Sequence, residues 1–334
     1  MSMIRIAGLL AMLCALGAGA AERLPRFRGH PGEIAVLGLS SGAYMAVQFE
    51  VAFSASIKGA GIVAGGPYYC AAGNMLNAGI CMGQVPNVPP VAAFMVAAAQ
   101  NFEAAGRIDA LAHLKSHRIY VFSGTRDEIV RQPAVDALVA FYRQLQVPAD
   151  ALLYVNTLPA GHAVITPGFG NDCASSSAPG INHCTLNGAP YDQAGAILQH
   201  VYGPLQAPAK TPGGRVMAFD QKEFRSGAAK MADEGYVYVP RTCAAGSSCR
   251  LVIAFHGCMQ SAGSVGDRFY AHAGYNNWAD SNRLIVLYPQ VDASLFNPQG
   301  CWDWFGYTGA GYATRAGLQM MAVKAMADRL LAGP

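Results

Sequence analysis

Charged side chains are scarce in this sequence, in which Asp, Glu, Lys and Arg make up 13% of the 334 residues. Soluble domains usually carry about a quarter. The net charge is +3, and the lysines and arginines are scattered without forming a basic stripe. Proteins that bind nucleic acids concentrate their cations on one surface, so a nucleic-acid partner is excluded. With 52% hydrophobic residues, the chain can instead fill a large core.

Metal-ligand motifs are missing as well. The sequence contains no C-x-x-C and no H-E-x-x-H pattern, and its eight histidines are dispersed. Zinc sites usually draw several of their ligands from such closely spaced motifs. We therefore expect no metal site and no cofactor.

Outside the N-terminus, no apolar run is long enough to cross a membrane. At the N-terminus, Arg5 precedes the apolar residues 6–16 and the small residues 18–20. This order is typical of a secretory signal peptide and its cleavage site, and the apolar stretch is too short to span a bilayer well. The sequence predicts a signal peptide over residues 1–20 and an exported protein, either extracellular or periplasmic, without a membrane span.

Eight of the nine cysteines follow that segment. An even number of cysteines in an exported chain indicates disulfides, although the sequence alone allows 105 connectivities. Three pairs lie close together around glycine- or serine-rich loops, and the two remaining cysteines would form a long-range pair by elimination. The predicted disulfides are Cys70–Cys81, Cys173–Cys184, Cys243–Cys249 and Cys258–Cys301.

Short apolar runs alternate with helical patterns along the chain, which favours an α/β fold with a mostly parallel central sheet flanked by helices. The strands are expected at residues 33–39, 60–64, 118–122, 151–156, 234–239, 250–255 and 284–288. The helices are expected at residues 41–53, 91–105, 133–145, 191–202, 270–281 and 314–331.

Residues 206–214 read QAPAKTPGG and have the composition of a linker. A boundary between two domains is one interpretation. We favour a surface connection within a single catalytic domain over residues 21–334, with no separate substrate-binding domain, because the second half supplies a part that the first half lacks.

The sequence Gly-Leu-Ser-Ser-Gly at 38–42 directly follows the apolar run 34–37. It matches G-x-S-x-G with Ser40 at the centre, the turn that exposes a nucleophilic serine between a strand and a helix. An amphipathic segment, residues 44–52, follows at once. We interpret Ser40 as a catalytic nucleophile, and the alternative is a glycine-rich turn without chemistry.

A serine nucleophile needs a histidine base and a carboxylate that orients the histidine. Asp127 lies in the small-residue turn Ser-Gly-Thr-Arg-Asp after the strand at 118–122, and His162 follows the strand at 151–156. The order Ser, Asp, His is that of α/β-hydrolases. We predict Asp127 as the acid and His162 as the base.

The second half of the chain supplies an apolar strand that runs into His256, Gly257 and Cys258. In an α/β-hydrolase, the turn that carries the nucleophile is called the elbow. A His-Gly loop that precedes it in the chain provides one N–H of the oxyanion hole, and the residue after the nucleophile provides the other. Here the loop follows the base instead. The simplest explanation is a circularly permuted α/β-hydrolase fold in which the backbone N–H groups of Ser41 and Cys258 bind the oxyanion.

Six sequence blocks resemble the esterase family of poly(3-hydroxybutyrate) depolymerases, in the order of its circularly permuted branch. They are GLSSGAYMA at 38–46, SGTRD at 123–127, AGHA at 160–163, FHGCMQSA at 255–262, LYPQ at 287–290 and NPQGCWDWFG at 297–306.

The resemblance implies a serine esterase, expected as a monomer, that cleaves short-chain polyhydroxyalkanoates or their oligomers through a hydroxyacyl-enzyme. It also implies that Trp302 or Trp304 lines the substrate cleft. Two alternatives stay open: a feruloyl or acetyl-xylan esterase, and a non-catalytic polymer-binding protein.

Overall fold

The computed structural model describes residues 21–295 and 297–333, so the predicted signal peptide over residues 1–20 lies outside the described part. An eight-stranded sheet and two small sheets form its β structure. The strands are β1 (Gly29–Leu39), β2 (Ile57–Val63), β3 (Arg118–Phe122), β4 (Leu152–Val155), β5 (Val164–Thr166), β6 (Asn171–Asp172), β7 (Ile181–His183), β8 (Thr185–Leu186), β9 (Ala189–Pro190), β10 (Arg215–Asp220), β11 (Glu234–Val239), β12 (Cys249–Phe255) and β13 (Leu284–Tyr288).

Helices cover this sheet and connect its strands. They are α1 (Ser41–Ala52), α2 (Ala78–Cys81), α3 (Ala92–Ala104), α4 (Gln132–Gln144), α5 (Gln193–Tyr202), α6 (Arg241–Ala244), α7 (Ala262–Val265), α8 (Arg268–His272), α9 (Tyr275–Asn282) and α10 (Leu318–Leu331). None of the helices in the described ranges is long and apolar enough to cross a bilayer.

The main sheet has the order β10-β11-β13-β12-β1-β2-β3-β4. Every neighbouring pair from β13 to β4 is parallel, and β10 and β11 add an antiparallel edge. Parallel strands that are covered on both faces are apolar throughout, which explains why all five residues of β13 are buried. The predicted α/β architecture is confirmed.

The sheet order also confirms the circular permutation. Renumbered from β10, the order becomes 1-2-4-3-5-6-7-8, which is the α/β-hydrolase order. The strand that leads to the His-Gly loop, β12, lies parallel and directly beside β1, which leads to the elbow. Strands from both sides of residues 206–214 thus share one sheet.

The amphipathic pattern expected for the segment after the elbow is wrong. All twelve residues of α1 are buried, because the helix lies in the middle of the molecule. Its one acidic residue, Glu50, is compensated by a hydrogen bond with His117 Nδ1 at 3.0 Å and one from the Tyr142 hydroxyl. A buried carboxylate is tolerated only with such partners.

Two predicted helices differ from the expected bounds by more than two residues or are divided. The helix predicted over residues 270–281 is divided into α8 and α9, because Gly274 adopts a positive φ of 89° that interrupts regular helix. The helix predicted from residue 314 begins only at Leu318, after a turn in which the Gly317 N–H donates to Thr314 O. The edge strand β10, only half-buried, was not predicted.

Eight cysteines form four disulfides, and their pairing is the one predicted: Cys70–Cys81, Cys173–Cys184, Cys243–Cys249 and Cys258–Cys301. Three of them close short loops, and the fourth joins the loop after β12 to the segment before α10. Within the described residues, no group of His, Cys, Asp and Glu side chains is arranged to hold a metal ion.

Candidate active site

Ser40 occupies a strained turn between β1 and α1. Its backbone has φ 58° and ψ −124°, a conformation that costs a non-glycine residue free energy and persists only where the surroundings impose it. The Ser40 N–H donates to Val63 O at 3.0 Å, which ties the turn to the end of β2. The serine side chain consequently stands at the edge of the sheet, as in a nucleophile elbow.

The two glycines of the motif are required by close backbone contacts. A Cβ atom on Gly38 would lie 2.1 Å from Gly42 O, and a Cβ atom on Gly42 would lie 2.4 Å from Phe255 O. Neither contact is sterically possible for another residue. The G-x-S-x-G spacing therefore results from the close approach of α1 to β1 and to the end of β12.

Asp127 lies in the turn after β3, where its side chain is almost fully buried. Its Oδ1 accepts hydrogen bonds from the N–H groups of Ile129 and Val130 at 2.9 and 3.0 Å. Its Oδ2 accepts one from His162 Nδ1 at 2.8 Å. One carboxylate oxygen thus fixes the aspartate, and the other fixes the histidine.

The turn that carries Asp127 is bonded directly to the loop that carries His162. The Thr125 N–H donates to Leu158 O at 2.9 Å, and the Arg126 N–H donates to Ala160 O at 3.0 Å. Gly124 permits this contact, because a Cβ atom there would lie 2.2 Å from Ala160 O. The acid and the base are therefore positioned by backbone hydrogen bonds as well as by their own side chains.

The hydrogen bond to Asp127 also sets the tautomer of His162. With the proton on Nδ1, the lone pair remains on Nε2, which is the nitrogen that a general base uses in a serine hydrolase. The backbone N–H of His162 donates to Ser176 Oγ at 3.0 Å, inside the loop closed by the Cys173–Cys184 disulfide. Ser40 and His162 line the same cavity.

The loop after β12 lies beside the elbow. Ser41 is the first residue of α1, so its N–H has no intrahelical acceptor. In the loop, the Gly257 N–H donates to Gln260 Oε1 and the Met259 N–H to Gln299 O. Among the described residues, the Cys258 N–H between them has no acceptor. This arrangement can supply the two donors of an oxyanion hole.

His256 holds this loop in place. Its Nε2 accepts a hydrogen bond from the Val291 N–H at 3.0 Å, and its Nδ1 donates to Gly257 O at 2.7 Å. Complete burial lowers the pKa of His256 to about 4, because the charged imidazolium would be desolvated. His256 is therefore neutral and belongs to the scaffold.

The two tryptophans have different positions. Trp304 lines the cavity and stacks on Tyr44, with ring centroids 4.5 Å apart. Trp302 is fully buried and packs edge-on against Phe255, so of the two candidates only Trp304 lines the cavity, and Trp302 belongs to the core. The segment around them is a series of bends rather than a strand, and a spacing of two residues therefore does not place both side chains on one side.

The cavity has a volume of about 920 Å³, and its lining includes residues that were not predicted to belong to the site. They include Tyr44, Met75, Ile129 and the segment 176–180. No sequence motif marks them. The exposure of an apolar residue such as Met75 indicates a contact surface, but that exposure is seen only in the structure. Of the described residues around the cavity, His162 is the only one whose side chain can carry charge at neutral pH.

Comparisons with known proteins agree with this architecture. No protein-family model matches the chain. The chain is 42% identical over 334 residues to a poly(3-hydroxybutyrate) depolymerase of Delftia acidovorans, covering 98% of this chain and 65% of that protein. It is 37% identical to a polyhydroxybutyrate depolymerase of Talaromyces funiculosus, covering 97% of each.

Solved structures are similar over 93% of this chain and 99% of theirs, with a TM-score of 0.84. One, 34% identical, is a PHB depolymerase from Penicillium funiculosum. Another, 35% identical, is a PHB depolymerase with a serine-to-alanine substitution, complexed with an R3HB trimer.

Proposed function

The chain belongs to the family of poly(3-hydroxybutyrate) depolymerases, and we propose that it is an exported serine esterase that hydrolyses the ester bonds of poly(3-hydroxybutyrate) or its oligomers. The observation that carries this proposal is the Asp127–His162 hydrogen bond of 2.8 Å in the cavity that the strained Ser40 also lines. An acid, a base and a nucleophile from three separate sheet-edge loops share one site.

The first half of the reaction acylates Ser40. His162 Nε2 takes the hydroxyl proton while Ser40 Oγ attacks the ester carbonyl carbon. The carbonyl oxygen becomes an oxyanion, which the N–H groups of Ser41 and Cys258 bind; each such donor contributes about 3–4 kcal/mol in comparable sites. The imidazolium then protonates the leaving alkoxide, and a hydroxyacyl-enzyme remains.

The second half of the reaction releases the hydroxy acid product. His162 removes a proton from a water molecule, and the resulting hydroxide attacks the acyl carbon through the same oxyanion hole. Ser40 leaves and takes back the proton from His162. Asp127 orients the imidazole in both halves of the reaction and stabilises its charged form.

The composition of the cavity wall suits a neutral polyester. Its described side chains are apolar, aromatic or uncharged polar groups apart from His162. An apolar chain with neutral esters can enter without the cost of desolvating an ion. The Trp304–Tyr44 stack provides a flat apolar surface on which methyl-bearing repeat units can pack.

Exposed apolar side chains surround the cavity mouth and support direct adsorption of polymer. Met75 and Met259 line the cavity and are 61% and 58% exposed, and Leu76, which follows Met75 in the chain, is 88% exposed. Exposed apolar clusters on a soluble protein usually mark a contact surface. In this proposal one catalytic domain, acting as a monomer, both adsorbs and cleaves the polymer.

Four disulfides support export into an oxidising compartment, since such bonds persist mainly outside the cytosol.

The test is hydrolysis of amorphous poly(3-hydroxybutyrate) by the purified protein, with chromatographic analysis of the products and Ser40→Ala as control. We expect 3-hydroxybutyrate and short oligomers from the wild type and none from Ser40→Ala, at equal melting temperatures. Turnover of methyl ferulate but not of polymer or oligomer would contradict the substrate. Undiminished activity of Ser40→Ala would contradict the mechanism.

A further inference from the structure

Gln260 makes hydrogen bonds with two separate walls of the cavity. Its side chain is only 3% exposed. The Oε1 atom accepts from the Gly257 N–H at 2.7 Å, and Nε2 donates to Pro179 O and Gly180 O at 2.8 and 3.1 Å. Gln260 therefore links the oxyanion loop to the segment 176–180.

Gly257 is the position at which this contact matters. It precedes Cys258, and a Cβ atom on it would lie 3.5 Å from Ser40 Cβ, so it packs directly against the nucleophile. Glycine is the most flexible residue of the backbone. Without further contacts, rotation about its bonds would turn the Cys258 N–H away from the site.

Two side chains restrict Gly257 from both directions. Gln260 holds its N–H, while His256 Nδ1 donates to its carbonyl oxygen at 2.7 Å. The carbonyl of Gly257 and the N–H of Cys258 belong to one planar trans peptide and point in opposite directions. Fixing both peptide groups of Gly257 therefore fixes the direction of the Cys258 N–H.

The same segment that receives Gln260 also holds the base. Ser176 Oγ accepts from the His162 N–H at 3.0 Å, and Pro179 and Gly180 follow within the loop closed by the Cys173–Cys184 disulfide. The segment 176–180 therefore contacts both the base and the side chain that holds the oxyanion loop.

We propose that Gln260 is a positioning residue for the oxyanion hole, which orients the Cys258 N–H through Gly257 and couples it to the segment that holds His162. This inference rests on the proposed function. Its consequence is that the loss of Gln260 lowers transition-state stabilisation, while binding of the substrate in the ground state is retained.

Two near-isosteric variants disturb the contact in different ways. Gln260→Met removes both the acceptor and the donor. Gln260→Glu keeps the acceptor for the Gly257 N–H and places a carboxylate oxygen against two carbonyl oxygens. With p-nitrophenyl butyrate as substrate, we expect kcat to fall about 10- to 100-fold in both variants, less than the loss of a donor itself, with KM changed less than about twofold.

A purely structural role is tested with a matched variant. Gln221 is also fully buried, and its amide likewise makes one accepted and two donated backbone hydrogen bonds, with the Gln290 N–H, Ala232 O and Gln290 O, none of them in the loop 256–261. Gln221→Met is expected to lower the melting temperature as Gln260→Met does, but to keep kcat within about twofold of wild type.

The second readout is inhibition by n-butylboronic acid, which forms a tetrahedral adduct with a nucleophilic serine. Its Ki is expected to rise at least tenfold in Gln260→Met, in proportion to the loss of kcat, and to stay unchanged in Gln221→Met. Equal kcat and Ki in the two methionine variants, or a rise in KM alone, would overturn the role of Gln260.

A wild-type protein that neither hydrolyses the ester nor binds the boronate would overturn the proposed function and, with it, the role of Gln260. An active wild type with an unimpaired Gln260→Met would overturn only the latter.

Discussion

The floor and the rim of the cavity are built on opposite principles. On the floor, the polar residues Ser40 and Asp127 are 9% and 7% exposed and are held by backbone hydrogen bonds. On the rim, the apolar residues Met75 and Met259 are 61% and 58% exposed. At this site the buried groups are polar and the exposed groups are apolar, which reverses the usual distribution.

The floor and the rim therefore have different roles: the floor sets the geometry of the catalytic groups, and the rim adsorbs the polymer. Buried polar groups cost free energy unless their hydrogen bonds are satisfied, so they stay only where a fixed geometry is needed, as between Asp127 and His162. Exposed apolar side chains make no directional contacts and can accept a polymer surface in many orientations. Substitutions on the floor should therefore change kcat, and those on the rim should change adsorption.

The largest effect is expected for Asp127→Ala. Without the carboxylate, His162 loses the bond that sets its tautomer, and kcat should fall about 10⁴-fold. The measurement is kcat and KM on p-nitrophenyl butyrate. Asp136→Ala is the control, because that carboxylate accepts from the Tyr154 hydroxyl on the surface, and it should stay within about twofold of wild type. A decrease below tenfold for Asp127→Ala would argue against the assignment.

Gly42→Ala tests whether the floor is as tightly packed as its contacts indicate. The new Cβ atom would meet the carbonyl oxygens of Phe255 and His256 at 2.4 Å, so the variant should lose about 3 kcal/mol or more of stability. Thermal unfolding is the measurement. Gly227→Ala is the matched control, since its Cβ atom would meet no atom within 4 Å. Equal melting temperatures would refute the close approach of α1 to β12.

His256 predicts how the floor responds to acid. Its pKa of about 4 in the folded protein lies below the ordinary histidine value of 6.5, so the unfolded chain binds more protons between pH 4 and pH 6.5. Stability is therefore present above pH 6.5 and is lost as the pH falls toward 4, by up to about 3 kcal/mol. Denaturant unfolding across this range should show a smaller acid-induced loss in His256→Gln than in wild type. Parallel curves would exclude this contribution.

The smallest effect is expected at the rim. The variant Leu76→Ser, beside the cavity-lining Met75, should lower adsorption to polymer and its hydrolysis a few-fold, because about 25 cal/mol is lost per Å² of apolar contact. Its kcat/KM on the soluble ester should be unchanged. Met321→Ser, at an exposed position that neither lines the cavity nor adjoins a residue that does, should behave as wild type in both assays. If both variants reduced adsorption equally, the rim would have no special role.

Much of the fold could be predicted because its signals are local. The strands β3, β11 and β13 have the predicted bounds, since a buried parallel or central strand is a short apolar run between polar turns. The edge strand β10 was missed because only one of its six residues is fully buried, so its apolar pattern is weak. The break at Gly274 was missed because a glycine inside a helical pattern is often tolerated.

The candidate site was predictable to the extent that chemistry follows strand ends. Asp127 and His162 stand after consecutive strands of the sheet, and the structure joins them. The distinction between Trp302 and Trp304 was not predictable, because both lie in one irregular segment. Gln260 was missed as well, since its partners Pro179 and Gly180 lie about 80 residues away.

By itself, the sequence determined the order of the secondary structure elements, the chemical groups available and the residues that stand at strand ends. These depend on apolar periodicity, on glycine and on cysteine spacing, which neighbouring residues express locally. Only the tertiary structure decided which of these groups share a cavity, which tryptophan faces it, and which glutamine orients an N–H beside Ser40. Burial and hydrogen-bond geometry depend on contacts between distant segments, and those contacts exist only once the sheet has brought the segments together.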